Sequence, residues 1–196
     1  MSKPLGELAD EELIAEFQRG NEAAFALLVG RFKDPLTNFV FRFTGDWDDC
    51  NDIVQEAFVR VYRSKHSYKP VARFSTWVYT IATNLAKTHL RRKKLRNIVP
   101  FGTKGRDDKE ELYDIPDEDA RSDARVESSM REQRIQKALN SLTAKYREVI
   151  VLRDVQELSY EEIAAITKLN IGTVKSRINR GRAQLQTMLK DLWDER

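Results

Sequence analysis

The sequence predicts an all-α fold of two helical domains joined by an acidic flexible linker. Apolar residues recur at three- and four-residue spacing through most of the chain, and the alternation typical of strands is absent. Between residues 99 and 130 this period stops, and glycine, proline and dense acid take its place. We therefore expect a helical domain over residues 1–98, a linker over 99–130 and a second helical domain over 131–196.

Helix signals follow one another through the first domain. Caps and stop residues predict a first helix from Asp10 to Gly20 and a second that begins after Asn21. The pair Asp34-Pro35 predicts a fresh helix start, and Gly45 predicts its end. Two more helices are expected over about residues 47–64 and 75–96.

The composition is that of a soluble, helix-rich chain. Of its 196 residues, 41% are hydrophobic and 33% are charged, which is too apolar for disorder and too charged for a membrane protein. No apolar run approaches the ~18 residues of a membrane span, and the N-terminus lacks the apolar core of a signal peptide. We expect a cytoplasmic protein with no membrane contact of its own.

The sequence gives little support for metal or cofactor chemistry. Cys50 is the single cysteine, and His66 and His89 lie too far apart for the usual zinc spacing. There is also no nucleophile–base pair or phosphate loop. We therefore expect no enzyme activity, no cofactor and no metal. A redox role for Cys50 stays open beside the simpler interpretation of a semi-buried apolar residue.

Charge is divided unevenly along the chain. Residues 84–98 and 163–190 each contain six basic residues and no acid, whereas residues 105–119 contain eight acids and two bases. Two basic blocks separated by an acidic one indicate two surfaces that bind a polyanion.

The second basic block contains a helix-turn-helix pattern that predicts binding to double-stranded DNA. Ser159 and Glu162 form a capping box that opens the first helix, and a second helix starts near Gly172. The turn places Lys168 where glycine is common, so we expect a left-handed lysine. One face of the second helix suits contact with bases in the major groove, with Lys175 and Arg182 placed to hold phosphates. That face carries Thr173, Ser176, Arg177, Arg180 and Gln184, and the candidate DNA-binding residues here are Thr173, Lys175, Ser176, Arg177 and Arg180. An ordinary helical hairpin with solvated charge is the alternative.

The helix over residues 75–96 has two faces with different compositions. Its apolar stripe predicts a core contact, and the opposite stripe is small and polar before it becomes basic. An amide such as Asn84 can bond an exposed base, while cations hold the phosphates. Stacking of bases on Tyr68 and Phe74 is also predicted, although the spacing of Trp77 favours a core position. The candidate DNA-binding residues are Tyr68, Phe74, Thr80, Asn84, Lys87, Arg91 and Arg92.

A third candidate surface is acidic. Helix N-terminal acid that complements the helix dipole accounts for Asp48 and Asp49. Asp52, Gln55 and Glu56 form a stripe beyond that turn, which is typical of a protein-docking surface rather than a DNA contact.

Three stretches together resemble a bacterial sigma factor of the extracytoplasmic-function group. They are D-x-x-D-I-V-Q-E-A-F-V-R-V-Y, then F-S-T-W-V-Y-T-I-A-T-N-L-A-K, then L-S-Y-E-E-I-A-A-I-T-K-L-N-I-G-T-V-K-S-R-I-N-R-G-R-A-Q-L. The resemblance covers both domains in order. It implies a first domain like sigma region 2 and a second like sigma region 4, both on a promoter-specificity subunit.

The resemblance also implies partners and residue roles. Asp49, Asp52, Gln55 and Glu56 fall on positions that dock on the β′ clamp coiled coil of core RNA polymerase. The loop over residues 68–74 and Asn84 fall on positions that capture a flipped base of the −10 element. The second helix of the helix-turn-helix recognises the −35 element, and the apolar surface of its domain meets the β flap. The linker would thread near the RNA exit path, and an anti-sigma factor is an expected partner.

Two functions from other classes stay possible at this point. A stand-alone repressor or activator would bind duplex DNA as a homodimer, but the acidic stripe and the absence of a dimer heptad argue against it. An adaptor that never touches DNA is disfavoured by the two basic blocks.

Overall fold

The computed structural model describes residues 3–98 and 123–190 and is helical throughout, apart from turns and short connections. No strand occurs in these two ranges, so the predicted all-α class is confirmed. None of the helices in them is long and apolar enough to span a bilayer. The helices are α1 (Asp10–Gln18), α2 (Glu22–Thr44), α3 (Asp48–Arg63), α4 (Phe74–Ile98), α5 (Asp123–Ser141), α6 (Ala144–Ile150), α7 (Tyr160–Thr167) and α8 (Ile171–Met188).

The predicted break at Pro35 is wrong, because α2 runs without interruption from Glu22 to Thr44. A proline inside a helix costs about 3 kcal/mol, since it removes a backbone donor and crowds the preceding turn. The apolar stripe is the same on both sides of it, however. Each buried Leu or Phe contributes roughly 1.5–3 kcal/mol, so together they outweigh the proline. The buried members are Leu28, Phe32, Leu36, Phe39, Val40 and Phe43.

The ends of α2 follow the predicted signals. Asn21 is its N-cap, and the Asn21 side chain accepts a hydrogen bond from the amide of Ala23. Gly45 ends the helix in the left-handed region, with φ of 77°, where a residue without a Cβ is favoured. The side chain of Asn140 lies 2.5 Å from the point that a Cβ on Gly45 would occupy. The backbone angle therefore favours glycine here, and an added Cβ would also displace the side chain of Asn140 in the C-terminal domain.

The predicted linker is shorter than expected at its C-terminal end. Helix α5 begins at Asp123, so residues 123–130 are helical rather than part of an irregular tether. Ala, Arg, Glu and Met in this stretch are good helix formers, and an aspartate at the start suits the helix dipole. The remaining linker residues, 99–122, lie outside the described residues.

The C-terminal domain consists of α5–α8. After α6 the chain continues as one π-helical turn over Val151–Val155, and this turn packs against α2. Helices α6 and α8 approach closely because Gly181 faces α6. An added Cβ at Gly181 would lie 2.8 Å from Cγ1 of Ile150.

The two domains pack directly against each other. Helix α4 lies along α7, and α2 contacts α5, α6 and the π-helical turn. Apolar residues from both domains form one continuous buried cluster. This arrangement, which we call the closed arrangement, was not predicted from the sequence.

Candidate nucleic-acid interface

The helix-turn-helix forms as its sequence predicts. Ser159 Oγ accepts from the Glu162 amide at 3.1 Å, and Glu162 Oε2 accepts from the Ser159 amide at 2.9 Å, which confirms the capping box. Lys168 adopts the left-handed conformation with φ of 57°, as expected for a lysine at a position where glycine is common. Asn170 then caps α8 by accepting from the Thr173 amide at 2.7 Å. The angle between the two helices is therefore fixed by local hydrogen bonds.

The outer face of α8 is basic and polar and open to solvent. Lys175, Ser176 and Arg180 are exposed, and Thr173 and Arg177 are half-buried. Lys175 Nζ lies 5.4 Å from the centre of the Tyr160 ring, so a cation–π contact restrains the ammonium near the start of α8. Thr173, Ser176, Arg177 and Arg180 thus share one side of α8 with Lys175 on its flank, and the DNA contacts of all five stay predictions.

Arg182 has a different environment from the phosphate contact that the sequence suggests. Its Nε donates to Asp154 Oδ2 at 3.1 Å and a second nitrogen pairs with Asp154 Oδ1. This bidentate hydrogen bond raises the pKa of Arg182 and ties α8 to the π-helical turn. We therefore assign Arg182 a structural role.

In the N-terminal domain, the polar stripe of α4 is only partly accessible. Asn84, Arg91 and Arg92 are exposed. Thr80 is half-buried, and its hydroxyl donates back to the Thr76 carbonyl oxygen at 2.7 Å. Lys87 Nζ lies 2.6 Å from Glu148 Oε1 in the C-terminal domain. The predicted stripe is therefore partly covered at Thr80 and Lys87, whereas Asn84, Arg91 and Arg92 are exposed to solvent.

Tyr68 and Phe74 are core residues in the closed arrangement. Phe74 is fully buried, with its ring packed edge-to-face on Phe32 at 5.2 Å. Tyr68 is 6% exposed, and its hydroxyl donates to the Ala72 carbonyl oxygen at 2.8 Å. Trp77 also packs against the core, as its spacing favoured. Burial leaves neither predicted ring free to stack on a base, so the structure does not support that role.

The acidic surface of α3 divides into two parts. Asp52 and Gln55 are exposed, and Glu56 pairs with Arg60 at 2.8 Å on the same face. Asp49 is different, because its Oδ2 lies 2.7 Å from His89 Nε2 on α4. The pKa of Asp49 is raised, first by burial and then by the neighbouring charge of Asp46. Three of the four predicted docking residues thus face outward, and Asp49 is held against α4.

Several polar residues at the domain contact were missed from the sequence. The Tyr79 hydroxyl donates to Gln156 Oε1 at 2.5 Å, and Arg73 pairs with Glu162 at 3.4 Å. Burial raises the pKa of Glu148, although the hydrogen bond and the charge of Lys87 partly offset it. One signal was available, since Glu148 precedes the apolar run Val-Ile-Val-Leu. An acid at the edge of a core stretch requires a cationic partner.

Cys50 shows no sign of redox chemistry. Its thiol is buried and donates to the Asp46 carbonyl oxygen at 2.8 Å. Burial raises the pKa of the thiol to about 12, so the reactive thiolate is scarce at neutral pH. In the described ranges no group of three His, Cys, Asp or Glu side chains is placed to hold a metal ion.

Comparison with known proteins identifies the family. Residues 28–96 match Sigma-70 region 2, and residues 132–185 match Sigma-70, region 4. The chain is 36% identical to the ECF RNA polymerase sigma factor SigW of Bacillus subtilis, over 95% of this chain and 100% of that protein. It is 33% identical to the ECF RNA polymerase sigma-E factor of Escherichia coli, over 95% of this chain and 97% of that one.

Solved structures agree with these relatives. CnrH in complex with the cytosolic domain of CnrY superposes with a TM-score of 0.69 at 28% identity, covering 94% of this chain and 99% of CnrH. The sigma factor RpoE of Bartonella quintana, in complex with the anti-sigma factor NepR, gives 0.65 at 26% identity, over 85% of this chain and 96% of that one. The protein is thus a promoter-recognising sigma subunit of RNA polymerase. Within the sigma-70 family, it belongs to the extracytoplasmic-function group.

Proposed function

We propose that the two domains divide promoter recognition and that core RNA polymerase holds them at their working distance. The observation that carries this proposal is the outer face of α8, which is exposed, basic and without an acid. Its position as the second helix of a helix-turn-helix suits entry into the major groove of the −35 element. Lys175 and Arg180 would hold phosphates, while Thr173, Ser176 and Arg177 would contact base edges.

Helix α4 would bind the −10 element. Asn84 has an exposed amide that can bond the edge of an extruded base, and Arg91 and Arg92 supply charge for the backbone. Extrusion of a base costs a few kcal/mol, which the basic end of α4 offsets only in part. Joining both domains to polymerase raises their effective concentration on one promoter and supplies the remaining affinity.

The outer face of α3 would dock on polymerase. Asp52, Gln55 and Glu56 lie together there, and we propose the β′ clamp coiled coil as their partner. The apolar surface of the C-terminal domain would meet the β flap, and the acidic linker would follow the RNA exit path. The chain would act by binding alone, in the cytoplasm, where polymerase and promoters are found. Its relatives CnrH and RpoE were solved with CnrY and NepR, which supports an anti-sigma partner here as well.

The closed arrangement restricts the part of α4 that DNA can reach. On α4, Thr76 and Thr83 are buried beside the candidate residues Thr80 and Asn84, and Lys87 is held by Glu148. The contact is also imperfectly satisfied: Thr83 Oγ1, Gln156 Nε2 and Arg147 Nε are buried without a hydrogen-bond partner. Each such atom costs about 1–3 kcal/mol. We infer that the domains separate when polymerase and promoter bind.

Promoter selection tests the core of the proposal. Holoenzyme reconstituted from this chain and core polymerase is expected to retain, from a random DNA library, sequences with two elements at a fixed spacing. Retention of a single element, or none, would contradict the division between domains. We call the retained sequence the selected promoter.

Two matched alanine variants test the residue roles. Arg180→Ala is expected to weaken binding to the upstream element and to spare polymerase affinity, because Arg180 is exposed on α8. Asp52→Ala should do the reverse, because Asp52 lies on the outer face of α3. Equal loss of polymerase affinity in both variants would refute the assignment.

Energy transfer tests the opening. Dyes on the exposed positions of Lys33→Cys and Gln186→Cys report the distance between the domains. We expect transfer to fall when core polymerase is added. Unchanged transfer in a holoenzyme that is active on the selected promoter would show that opening is not required.

A further inference from the structure

Two acid–base pairs join the start of α3 and the connection before it to the basic end of α4. Asp49 Oδ2 lies 2.7 Å from His89 Nε2, and Asp46 Oδ2 lies 2.5 Å from Lys93 Nζ. His89 and Lys93 are four residues apart on α4 and share one helical face, and they meet Asp49 in the first turn of α3 and Asp46 in the connection before it. The two contacts therefore lie one helical turn apart along α4.

The pairs lie where α4 loses its other support. Up to Arg96, the last side chain of α4 whose burial is described, Ala86 is the last fully buried residue, Leu90 is half-buried against the core, and residues 91–96 are all exposed. A helix end without an apolar contact is marginally stable in water. The orientation of this segment, which carries Arg91 and Arg92, therefore depends largely on the contacts of His89 and Lys93.

The electrostatics support a charged pair at Asp46, whereas at Asp49 burial and the neighbouring charge of Asp46 raise the pKa, so the contact with His89 rests on its geometry. Burial alone would raise the pKa of Asp46, but the hydrogen bond and the charge of Lys93 outweigh it and lower the pKa. Asp46 is held further by the chain around it, because its Oδ1 accepts from the Asp48 amide at 3.1 Å and its carbonyl accepts from Cys50. The acid side of the contact is thus rigid and can hold Lys93 in one place.

We propose that Asp46 and Asp49 are positioning residues. By holding Lys93 and His89 they fix the basic end of α4, with Arg91 and Arg92, at one orientation relative to the polymerase-docking face of α3. Asp49 acts through His89 in this account rather than by contact with polymerase. The proposal rests on the proposed function, in which α3 docks on polymerase and α4 binds the melted −10 strand.

The test is based on two substitutions for which a simple charge effect and a loss of positioning predict opposite results. Asp46→Asn and Asp49→Asn each remove a negative charge near DNA, which by charge alone strengthens DNA binding. A positioning role predicts the opposite: open-complex formation on the selected promoter, at saturating polymerase, should slow by about three- to tenfold. Polymerase affinity should stay within about twofold, and Asp49→Glu, which keeps a carboxylate, should retain most of the rate.

Three controls separate the possible failures. Asp34→Asn removes an exposed acid on α2 far along the chain from these pairs, and it should not slow opening. Asp52→Ala should lose polymerase affinity. If Asp52→Ala does not, the docking assignment fails while the positioning test stands. If Asp49→Asn loses polymerase affinity or leaves the opening rate unchanged, the positioning role is wrong.

The mobility of a spin label on Arg96→Cys reports directly how firmly the basic end of α4 is held. Cys50 is buried and should not take the label. Asp46→Asn and Asp49→Asn should each increase the mobility of the label in the free chain, with CD melts as a check on folding. A label that is equally restrained in both variants would overturn the proposal without reference to transcription.

Discussion

Alanine substitutions at two glycines of α8 are expected to change stability in opposite directions, because α6 approaches α8 closely at Gly181. A Cβ built on Gly181 meets Ile150 Cγ1 at 2.8 Å and Cδ1 at 3.1 Å, whereas one built on Gly172 meets only Asn170 Oδ1 at 3.6 Å. Ile150 is itself 2% exposed and cannot move away freely. Gly181→Ala should therefore strain the contact, and Gly172→Ala should not.

The magnitude follows from two terms. Replacing glycine by alanine in a helix stabilises it by up to about 1 kcal/mol, with less gain in the first turn. Overpacking a tight core contact costs about 1–3 kcal/mol. Gly172 lies in the first turn of α8 and Gly181 in its interior, so the first term is larger at Gly181, and the difference between the variants is a lower limit of the steric cost of about 1–3 kcal/mol. For a chain of this size each kcal/mol shifts Tm by about 2–4 °C.

Thermal and urea unfolding of the two variants provide the measurement. Gly172→Ala is expected at or above the wild-type Tm, and Gly181→Ala below it. Equal stabilisation of both variants would mean that α8 lies farther from α6 than the structure places it. The orientation of the DNA-facing surface of α8 would then need revision as well.

Three further predictions concern single residues. Pro35→Ala should raise the free energy of unfolding by about 1–3 kcal/mol in urea titrations, because it restores a helix donor at an exposed position; a loss of stability would show that Pro35 is needed for the path of α2. Lys168→Gly should stabilise by roughly 0.5–1 kcal/mol, since φ of 57° strains a lysine, and unchanged stability would place that strain elsewhere. Cys50 should resist alkylation by iodoacetamide in native protein at neutral pH, because burial raises its pKa to about 12; rapid labelling would contradict its burial.

Local signals were the part of the fold that the sequence predicted well. The capping box at Ser159, the left-handed Lys168 and the Asn21 cap each depend on residues within four positions of one another. The predicted break at Pro35 failed because a local signal competed with burial along all of α2. The start of α5 was missed because dense charge was taken to indicate a linker, although the same residues are good helix formers.

The contacts between helices could not be predicted in the same way. His89 lies forty residues after Asp49, and Glu148 lies 61 after Lys87, so spacing within one helix contains no information about either pair. A polar residue on a helix face is compatible with water, DNA or another side chain. Arg182 illustrates this, because its charge predicted a phosphate contact and its partner is Asp154. Composition was enough to find the candidate surfaces. Only the three-dimensional packing shows which of their residues are exposed and which are paired with another side chain.

The burial of Glu148 beside Lys87 makes the closed arrangement sensitive to pH, because burial raises the pKa of Glu148 by more than Lys87 lowers it. The pKa of Glu148 is raised from 4.5, so the closed form binds its proton more tightly than a form in which the carboxylate faces water. Stability of the closed form should therefore be greatest at low pH and fall as pH rises through that raised pKa. Energy transfer between dyes at positions 33 and 186 should thus increase on acidification, and Glu148→Gln should remove this dependence. A decrease in energy transfer on acidification would show that the C-terminal domain alone buries Glu148. Closure would then add only the contact with Lys87. In that case the ionised pair would favour the closed form, and neutral pH would strengthen it.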